Sequence, residues 1–371
     1  MTAHVVTKAQ PQHARPNQTS ADIRSSAKPL VRGRLSAMPT VCINTPGTKI
    51  RLVSERLEIQ GQDLETKTTV LRVIPIRDVD RLIMQESVQI SSEALSALLR
   101  TEIPVAILGW NGQYLGGFQP CAPAHGAWRN RQYQAHLDSG FTLTMSGRIV
   151  TAKIYNQRRV LQRMAQNRAA DITSGLDYLG ALLSDCARAK NVDELRGYEG
   201  AAAARYFSQW AAFLPEAFPF DRRSTRPPLN PVNACISFGS TLLYNEMVSY
   251  IHSHGLDPAL GLLHTTEDRR WSLALDLMEP FRPVLVEALA LDVFTHQILN
   301  DKHFRPHEGG IYLNDEGRAK FIVQYERRME RQFMSECAGH RTTLRQQLEA
   351  QATMFKSALA EASKFEPFLM N

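Results

Sequence analysis

Residues 149–170 read IVTAKIYNQRRVLQRMAQNRAA. Apolar side chains such as Ile149, Ile154 and Leu161 recur here at helical spacing, and the polar positions between them are mostly basic. The stretch therefore predicts a long amphipathic helix, and helical patterns continue along the rest of the sequence. We expect an all-helical domain at residues 146–371, with further helices at residues 172–189, 192–213, 231–254, 271–300 and 315–365.

The sequence before this helical region has the pattern of strands. Short runs rich in Val, Ile, Leu and Thr occupy residues 50–53, 68–76 and 105–108, and polar or Gly-containing breaks separate them. These runs predict a small β domain at residues 47–125. We expect residues 126–145 to link it to the helical domain.

Two local signals are found among the predicted strands. Residues 91–100 read SSEALSALLR, in which serine precedes leucines at helical spacing, so we expect one short capped helix. Residues 110–118 read WNGQYLGGF, and Asn-Gly between apolar residues is the commonest two-residue hairpin signal. A hairpin is therefore expected at this point of the β domain.

Residues 1–46 differ in composition from the rest of the chain. They contain no Phe, Trp or Tyr, five prolines, six Lys or Arg and one acid, Asp22. A segment of this kind buries too little apolar surface to order itself. We expect a flexible basic arm, which is either a plain disordered leader, a segment that contacts DNA, or a junction to another domain.

Composition narrows the class of protein. With 371 residues, 43% of them hydrophobic and 22% charged, the chain is long enough for two domains and has the balance of a globular protein. No apolar run approaches the roughly 20 residues of a membrane span, and no secretion signal is recognised, so we expect a cytoplasmic protein without a membrane partner. The formal net charge of +6 permits polyanion binding without establishing it. The predicted fold class is α+β, a β domain followed by an all-α domain.

Several common types of site are not indicated. The five cysteines are scattered, odd in number and never in a C-x-x-C pair, so we expect reduced thiols rather than disulfides or a thiolate zinc site. The sequence has no G-x-G-x-x-G, G-x-x-x-x-G-K-[ST], H-E-x-x-H or G-x-S-x-G motif. Nothing therefore points to a nucleotide-cofactor enzyme, a zincin or an α/β-hydrolase.

Four side chains are candidates for chemistry. Glu199 lies beside glycine and four alanines in LRGYEGAAAARYF, residues 195–207, where small neighbours allow close approach. His264 follows a Gly-led apolar segment, and Asp276 and Glu279 are three residues apart, on one helix face. Acids directed at an apolar seam are costly unless they are paired or bound to a cation. On the residues alone, a solvated glutamate and surface ion pairs with nearby arginines remain the simpler interpretation.

Four segments of the sequence form a recognisable set. They are LRGYEGAAAARYF, RPPLNPVNACISFGSTLLYNEMV, GLLHTTEDRRWSLALDLMEPFRP and GGIYLNDEGRAKFIVQYERRM. In their order and approximate spacing they resemble the CRISPR-associated adaptation integrase family, the Cas-one family, and the resemblance extends from about residue 50 to residue 365. It implies an N-terminal β domain followed by an all-helical catalytic domain, assembled as a homodimer around the β domains.

The resemblance implies catalytic and metal-binding roles for Glu199, His264 and Glu279, which match the family's G-x-E-G, G-x-x-H and D-L-x-E-x-F-R-P elements. Asp276, one helical turn before Glu279, is expected either to orient a ligand or to be a further ligand. A histidine nitrogen with two or three carboxylate oxygens suits Mg²⁺ or Mn²⁺.

The resemblance also implies the reaction. A 3′-hydroxyl of a captured DNA fragment attacks a phosphodiester of the CRISPR repeat, and attack by water instead gives endonuclease activity. Basic side chains are then expected to contact DNA phosphates, although a solvated basic face explains each one equally well. At Asn230 the family commonly has aspartate, so we expect Asn233 and the neighbouring prolines mainly to shape the start of a helix. The expected DNA-binding residues are Lys153, Arg158, Arg159, Arg163 and Arg226.

The implied partners are a second copy of the chain, the Cas-two adaptation protein bridging two dimers, double-stranded DNA fragments and CRISPR repeat DNA. Some members of the family are fused to a reverse transcriptase, so the arm of residues 1–46 is either a leader or a linker from such a fusion. A second function, from another class, is a non-catalytic DNA-binding scaffold of the same fold. Intact Glu199, His264 and Glu279 favour the enzyme, because a scaffold would be free to lose one of them.

Overall fold

The structure is a computed structural model that describes residues 3–4, 40–43, 45–62, 68–79, 81–109, 114–120, 126–166, 171–336 and 339–371. It confirms the predicted α+β class, because strands dominate the first third of the chain and helices the remainder.

The described residues of the β domain form two sheets. The four-stranded sheet has the order β5-β4-β3-β7, and the five-stranded sheet has the order β1-β2-β6-β8-β9. In the second sheet β2 and β8 run parallel to β6, and β9 is antiparallel to β8. The strands are β1 (Ala3–His4), β2 (Thr40–Ile43), β3 (Lys49–Val53), β4 (Arg56–Gln62), β5 (Thr69–Pro75), β6 (Arg81–Gln85), β7 (Gln89–Ile90), β8 (Val105–Leu108) and β9 (Tyr114–Phe118).

The local signals of this domain correspond to structure. Helix α1 (Ser92–Arg100) begins after Ser91, whose hydroxyl accepts a hydrogen bond from the Ala94 amide at 3.2 Å, as a serine N-cap does. The Asn-Gly turn lies outside the described residues, but the strands on either side of it pair as the hairpin prediction requires.

The five-stranded sheet is buried on both faces. Successive strand side chains point to opposite faces, so Leu82 and Met84 pack into the core of the β domain while Ile83 packs into the core of the helical domain. On β2, Ile43 faces the β core and Cys42 the helical core. This sheet is therefore the layer that joins the two domains.

The predicted extent of the N-terminal arm is wrong. Residues 40–43 form β2, which pairs with β6, and Val41, Cys42 and Ile43 are buried. A three-residue apolar run is too short for a periodicity to be recognised, and its burial depends on the neighbouring strand. Apart from β1 and β2, residues 1–39 and the rest of the predicted arm up to residue 44 lie outside the described residues.

Residues 126–145, predicted to link the two domains, are helical apart from Asp138, which is an N-cap. They form α2 and the first turns of α3, and the Gln132 side chain in α2 hydrogen-bonds the backbone of Asp257 in both directions, at 2.7 and 2.8 Å. The helices of the domain are α2 (Gly126–Leu137), α3 (Ser139–Ala165), α4 (Thr173–Cys186), α5 (Val192–Trp210), α6 (Pro231–Ser253), α7 (Ser272–Met278), α8 (Ala288–Thr295), α9 (Asp315–Glu330) and α10 (Leu344–Ala358).

Two helices expected to be continuous are interrupted. Between α7 and α8 the chain forms a 3₁₀ turn, Glu279–Phe281, and a π-helical segment, Arg282–Glu287, where Pro280 and Pro283 cannot donate helical hydrogen bonds. Between α9 and α10 it forms a hairpin. Its strands are β12 (Phe333–Ser335) and β13 (His340–Thr342), and a second hairpin before α9 contains β10 (Phe304–His307) and β11 (Gly310–Leu313).

The described residues bear on two further expectations. Cys42, Cys186 and Cys235 are buried free thiols, in agreement with the expected reduced state. Of the helices that the structure describes, none combines the length and apolar character that crossing a membrane would need.

Candidate active site

Three segments bring their charged side chains to one place. Lys153 lies on α3, Glu199 on α5, and Glu279 in the 3₁₀ turn that follows α7. Helix α3 packs against both α5 and this turn. The apolar face of α3 recognised in the sequence therefore positions the site, and Lys153, at the edge of that face, is the side chain that the other two segments share.

The Lys153 ammonium binds two carboxylates at once. Its Nζ contacts Glu199 Oε1, and it lies 2.5 Å from Glu279 Oε2. Arg282 Nη1 binds the other oxygen, Glu279 Oε1, at 2.9 Å. We call Lys153, Glu199, Glu279 and Arg282 the site cluster.

The site cluster keeps its charges although most of it is buried. Burial alone would raise the pKa of Glu279, but the Arg282 and Lys153 cations outweigh it and lower that pKa to about 2. Burial would likewise lower the pKa of Lys153, yet Glu279 and Glu199 hold it above its ordinary value. The carboxylate of Glu279 is thus ionised at neutral pH, as a metal ligand must be.

His264 is oriented by Asp276. The Asp276 carboxylate is fully buried and accepts the backbone amides of residues 262–264, while its Oδ1 lies 2.6 Å from His264 Nδ1. Burial would lower the pKa of His264, but the hydrogen bond and the charge of Asp276 raise it. Both oxygens of Asp276 are engaged, by backbone amides and by His264 Nδ1. Of its two expected roles, Asp276 therefore fits that of a residue that orients a ligand, and His264 Nε2 is the ring nitrogen that could bind an ion.

Gly261 explains why the loop can close on Asp276. A Cβ at this position would lie 2.3 Å from the His264 carbonyl oxygen and 2.5 Å from Ser272 Cβ. Only glycine allows this approach, so the G-x-x-H spacing follows from packing as well as from chemistry.

An open cleft of about 360 Å³ lies beside the site cluster. It is lined by Arg196, Glu199, Leu263, His264, Thr265 and Arg270. Glu199 is 28% exposed, whereas Glu279 is only 2% exposed. A Cβ added at Gly197 or Gly200 would meet no other atom within 4 Å, so the small residues around Glu199 leave room on its helix. The cleft therefore offers a ligand access to one carboxylate directly and to the second behind it.

The donors fit a hard divalent cation, but the residues are arranged around an ammonium. Two carboxylates and an imidazole nitrogen are ligands that Mg²⁺ and Mn²⁺ accept, and Glu199 and Glu279 already converge on a cation. Yet within the described ranges no three His, Cys, Asp or Glu side chains lie where they could hold an ion as they stand. Lys153 occupies the position between the two carboxylates.

The residues expected to contact DNA have different surroundings. Lys153 is not on a basic surface, because its side chain is 7% exposed and its ammonium is bound by acids. Arg158 donates to the Leu176 carbonyl and Arg159 to the Gln162 side chain. Arg163 and Arg226 are exposed. Of the five, these last two present the most accessible guanidinium groups.

The segment that follows Pro227 and Pro228 shapes the start of α6, as expected. Asn230 caps α6 by accepting from the Asn233 amide at 2.8 Å. The Asn233 side chain accepts from Arg223 and from the Ser224 amide and donates to the Arg222 carbonyl. Both asparagines therefore shape the start of a helix.

Sequence reasoning missed three arginines of the site. Arg282 binds the buried Glu279, and Arg196 and Arg270 line the cleft. The F-R-P element that follows Glu279 could have indicated Arg282, because it is three residues from the glutamate and thus on its helix face. Nothing local indicates that Arg196 and Arg270 share a cleft, since they lie on separate segments.

Comparison with protein families gives one match. The family model described as "CRISPR associated protein Cas1" matches residues 41–327, a range that includes Glu199, His264 and Glu279.

Two curated proteins illustrate the similarity. The CRISPR-associated endonuclease Cas1 1 of Thermus thermophilus is 31% identical over 334 residues, which cover 89% of this chain and 99% of that protein. A CRISPR-associated exonuclease Cas4/endonuclease Cas1 fusion of Rhodospirillum rubrum is 32% identical over 317 residues, which cover 84% of this chain. They cover 54% of the fusion, so this chain spans about half of that relative's length.

Solved structures show the same fold. A casposase bound to integration product has a TM-score of 0.78 at 24% identity, covering 89% of this chain and 92% of its own. A CAS1 protein from Thermotoga maritima has a TM-score of 0.72 at 26% identity, covering 90% and 99%. A chain of a Cas6-RT-Cas1–Cas2 complex has a TM-score of 0.73 at 26% identity, covering 89% of this chain and 36% of that one.

Proposed function

This chain belongs to the CRISPR-associated Cas1 family, and on that premise we propose that it is a metal-dependent DNA integrase. The 3′-hydroxyl of a DNA fragment attacks a phosphodiester of the CRISPR repeat, so that a new phosphodiester forms while the bond to the repeat's own 3′-oxygen breaks and leaves a free 3′-hydroxyl. When water replaces the attacking hydroxyl, the protein acts as an endonuclease. One observation carries the proposal: carboxylates from two different segments, Glu199 and Glu279, converge on a cation beside an open cleft that His264 also lines.

The metal ion and the protein side chains would have separate roles in the reaction. Mg²⁺ or Mn²⁺ held by Glu199, Glu279 and His264 would stabilise the charge on the phosphoryl oxygens and lower the pKa of the attacking hydroxyl. Asp276 fixes the His264 ring through Nδ1. Arg282 keeps Glu279 ionised.

Substrate binding is assigned to positive charge around the cleft. Arg196 and Arg270 line it, and DNA phosphates bind guanidinium groups irrespective of base sequence. Arg163 and Arg226 do not line this cleft, but both are exposed and are further candidates for phosphate contacts. Phosphate contacts of this kind position the duplex without selecting its sequence, so we assign the choice of repeat to other features of the complex.

The alternative is a non-catalytic DNA-binding scaffold, and one observation favours it. The Lys153 ammonium neutralises both carboxylates, so the described site is electrostatically satisfied without a divalent ion. An enzyme and a scaffold differ in whether strand transfer depends on these acids and on added metal.

The deciding experiment is strand transfer of a labelled fragment into a supercoiled plasmid that carries the repeat. It is run with the Cas2 partner, in Mn²⁺ or in EDTA. We expect product only in Mn²⁺, loss of product in Glu199→Ala, and duplex binding within a few-fold of wild type, because basic residues supply the affinity. Glu216→Ala, at an exposed glutamate in the loop after α5, is the matched control and should retain activity. Wild-type transfer rates in Glu199→Ala would refute the assignment.

The proposed assembly is a homodimer paired through the β domains and bridged by Cas2. Support comes from the outward face of the four-stranded sheet, where Val53, Leu71 and Val73 are 46%, 57% and 45% exposed. Three half-exposed apolar side chains on one sheet face are typical of a surface that a partner covers. A monomer by light scattering at micromolar concentration would count against the dimer.

We further propose Cas2 and DNA as partners, because a solved Cas6-RT-Cas1–Cas2 complex and a casposase bound to integration product share this fold. The name of that complex includes RT, so we also propose a reverse transcriptase domain or partner. The proposed location is the cytoplasm.

A further inference from the structure

The buried cation of the site cluster has no role in the chemistry described so far. Lys153 reaches the cluster from α3, while its two acids come from α5 and from the turn after α7. We propose that Lys153 is a built-in counter-cation that occupies the place of the divalent ion between Glu199 and Glu279 and leaves when the ion binds. This inference rests on the proposed function, because it concerns the same carboxylates.

The two carboxylate oxygens of Glu279 have different partners. Glu279 Oε1 is bound by Arg282 at 2.9 Å, and Oε2 contacts Lys153 at 2.5 Å but makes no other hydrogen bond among the described residues. Oε2 is thus the oxygen of Glu279 that an ion would take, and the ammonium already holds it. The same ammonium contacts Glu199 Oε1. Metal and lysine therefore compete for the same two oxygens.

Without Lys153, Glu199 and Glu279 would repel each other. Two carboxylates that share one position repel each other, and the repulsion is stronger where burial excludes water. A fixed cation removes this repulsion and holds the acids in place before any ion arrives. The same fixed cation weakens the binding of a divalent ion, because the ion must first displace Lys153 from both carboxylates.

Lys153 has a route by which it can leave the two acids. Its four-carbon chain is flexible, and Glu199, its more exposed acid, opens onto the cleft where DNA phosphates are proposed to bind. A displaced ammonium would meet a phosphate there. Bound DNA should therefore favour the displaced lysine and raise the affinity for metal, and by reciprocity metal should raise the affinity for DNA.

The test compares Mn²⁺ binding to the full-length protein and its variants by isothermal calorimetry, without DNA. Lys153→Met should bind Mn²⁺ about tenfold more tightly than wild type, which corresponds to ~1.4 kcal/mol. Lys153→Arg, which keeps the charge, should bind as weakly as wild type. Arg158→Met is the matched control on the same helix, because Arg158 donates to the Leu176 carbonyl rather than to the acids. Its affinity should not change.

A second measurement uses the wild-type protein, so it does not depend on how any variant folds. Acetylation of Lys153 by acetic anhydride, followed by mass spectrometry, should be slow without metal, because the ammonium is buried and ion-paired. It should accelerate at saturating Mn²⁺, relative to the exposed Lys190. A merely structural lysine would stay protected in both conditions.

The outcomes separate the two proposals. If wild type binds Mn²⁺ in a manner that Glu279→Gln abolishes, but Lys153→Met binds no more tightly and Lys153 stays protected, the counter-cation role is overturned while the function survives. If neither wild type nor Lys153→Met binds Mn²⁺ at Glu279, both proposals are overturned. DNA that fails to tighten Mn²⁺ binding to wild type would contradict the route assigned to the displaced lysine.

Discussion

Two clusters of buried charge in this protein look alike but differ in solvent access and in the cation that their acids share. The site cluster contains Lys153, Glu199, Glu279 and Arg282. A second set, the interdomain cluster, joins β6 to the helical domain. It consists of Arg81, Glu246, Glu326 and Arg345, and Tyr325 contributes a hydroxyl to it.

The interdomain cluster is closed. Glu246 is completely buried, with Arg81 at 2.6 Å, Arg345 at 3.4 Å and the Tyr325 hydroxyl at 3.2 Å. Arg345 also binds Glu326 at 3.0 Å. Each acid is held by arginine, whose planar fork suits permanent pairing.

The site cluster is open, and this is the difference that matters. One of its acids, Glu199, faces a cleft, and the cation shared by its acids is a lysine, a flexible point charge, rather than an arginine. Perturbed pKa values and buried ion pairs occur in both clusters, so neither marks function by itself. Access and an exchangeable cation distinguish a site for a ligand from a structural joint.

The largest expected effect is on catalysis and concerns the site cluster. Glu279→Gln should lower strand transfer at least about 100-fold, because a neutral amide loses several kcal/mol of metal-assisted stabilisation. Rates are measured with labelled fragment in Mn²⁺, with Glu216→Gln as the control. A reduction of less than about fivefold would mean that Glu279 is not needed for catalysis. The site cluster would then have no catalytic role that distinguishes it from the interdomain cluster.

The next effect is on stability and concerns the interdomain cluster. Glu246→Gln leaves Arg81 and Arg345 buried without their shared anion and should lower the free energy of unfolding by about 3–5 kcal/mol. Glu199→Gln, at a partly exposed acid, should change it by less than about 1 kcal/mol. Urea unfolding followed by circular dichroism measures both. Equal losses in the two variants would contradict the distinction between a closed and an open cluster.

A smaller effect is the opposite pH dependence of the two clusters. Burial and the nearby Glu246 raise the pKa of Glu326 to about 7. The folded protein then binds a proton that the unfolded chain releases, so the contribution of Glu326 to stability declines as pH rises from about 4.5 to about 7. Glu279, with a pKa of about 2, contributes stability that is present above about pH 4.5 and is lost as pH falls toward 2.

The measurement is urea unfolding of wild type and Glu326→Gln between pH 4.5 and 7.5. The difference between the two proteins should change across this range, because only wild type carries the titrating group. Glu279→Gln against wild type should show a constant difference over the same range and a changing one below it. A pH-independent difference for Glu326→Gln would show that its carboxyl does not titrate in this window.

The smallest effect is outside both clusters. Arg226→Gln should weaken duplex binding only a few-fold and reduce the slope of log affinity against log salt by about 1. Arg77→Gln, at an exposed arginine of the β domain, is the control. Filter binding from 50 to 300 mM salt gives both slopes, and an unchanged slope for Arg226→Gln would remove this residue from the DNA surface.

Much of this arrangement could be predicted from local sequence. The Ser91 cap and the periodicity around Ile154 depend on neighbours a few residues away, and the structure reproduces both elements. The motif segments supplied Glu199, His264 and Glu279 through their resemblance to a family, and the structure places them at one cleft or directly behind it.

The rest depends on contacts between distant segments. Lys153 resembled any other basic residue of its helix, because its two acids lie 46 and 126 positions away in the chain. The sequence of residues 40–43 does not differ visibly from the predicted arm, because their strand forms only by pairing with β6. The hairpin between α9 and α10 interrupts a segment predicted as one helix, although Gly339 at a positive φ and the capping box of Thr343 and Gln346 are local signals for this break.

The most direct test is a crystal structure of the protein with Mn²⁺, with data collected at the manganese absorption edge for an anomalous difference map. The account predicts one strong peak bonded to carboxylate oxygens of Glu199 and Glu279 and to His264 Nε2, with Lys153 Nζ moved out toward the cleft. A map with no peak at this position, in which Lys153 still contacts both carboxylates at saturating Mn²⁺, would contradict it.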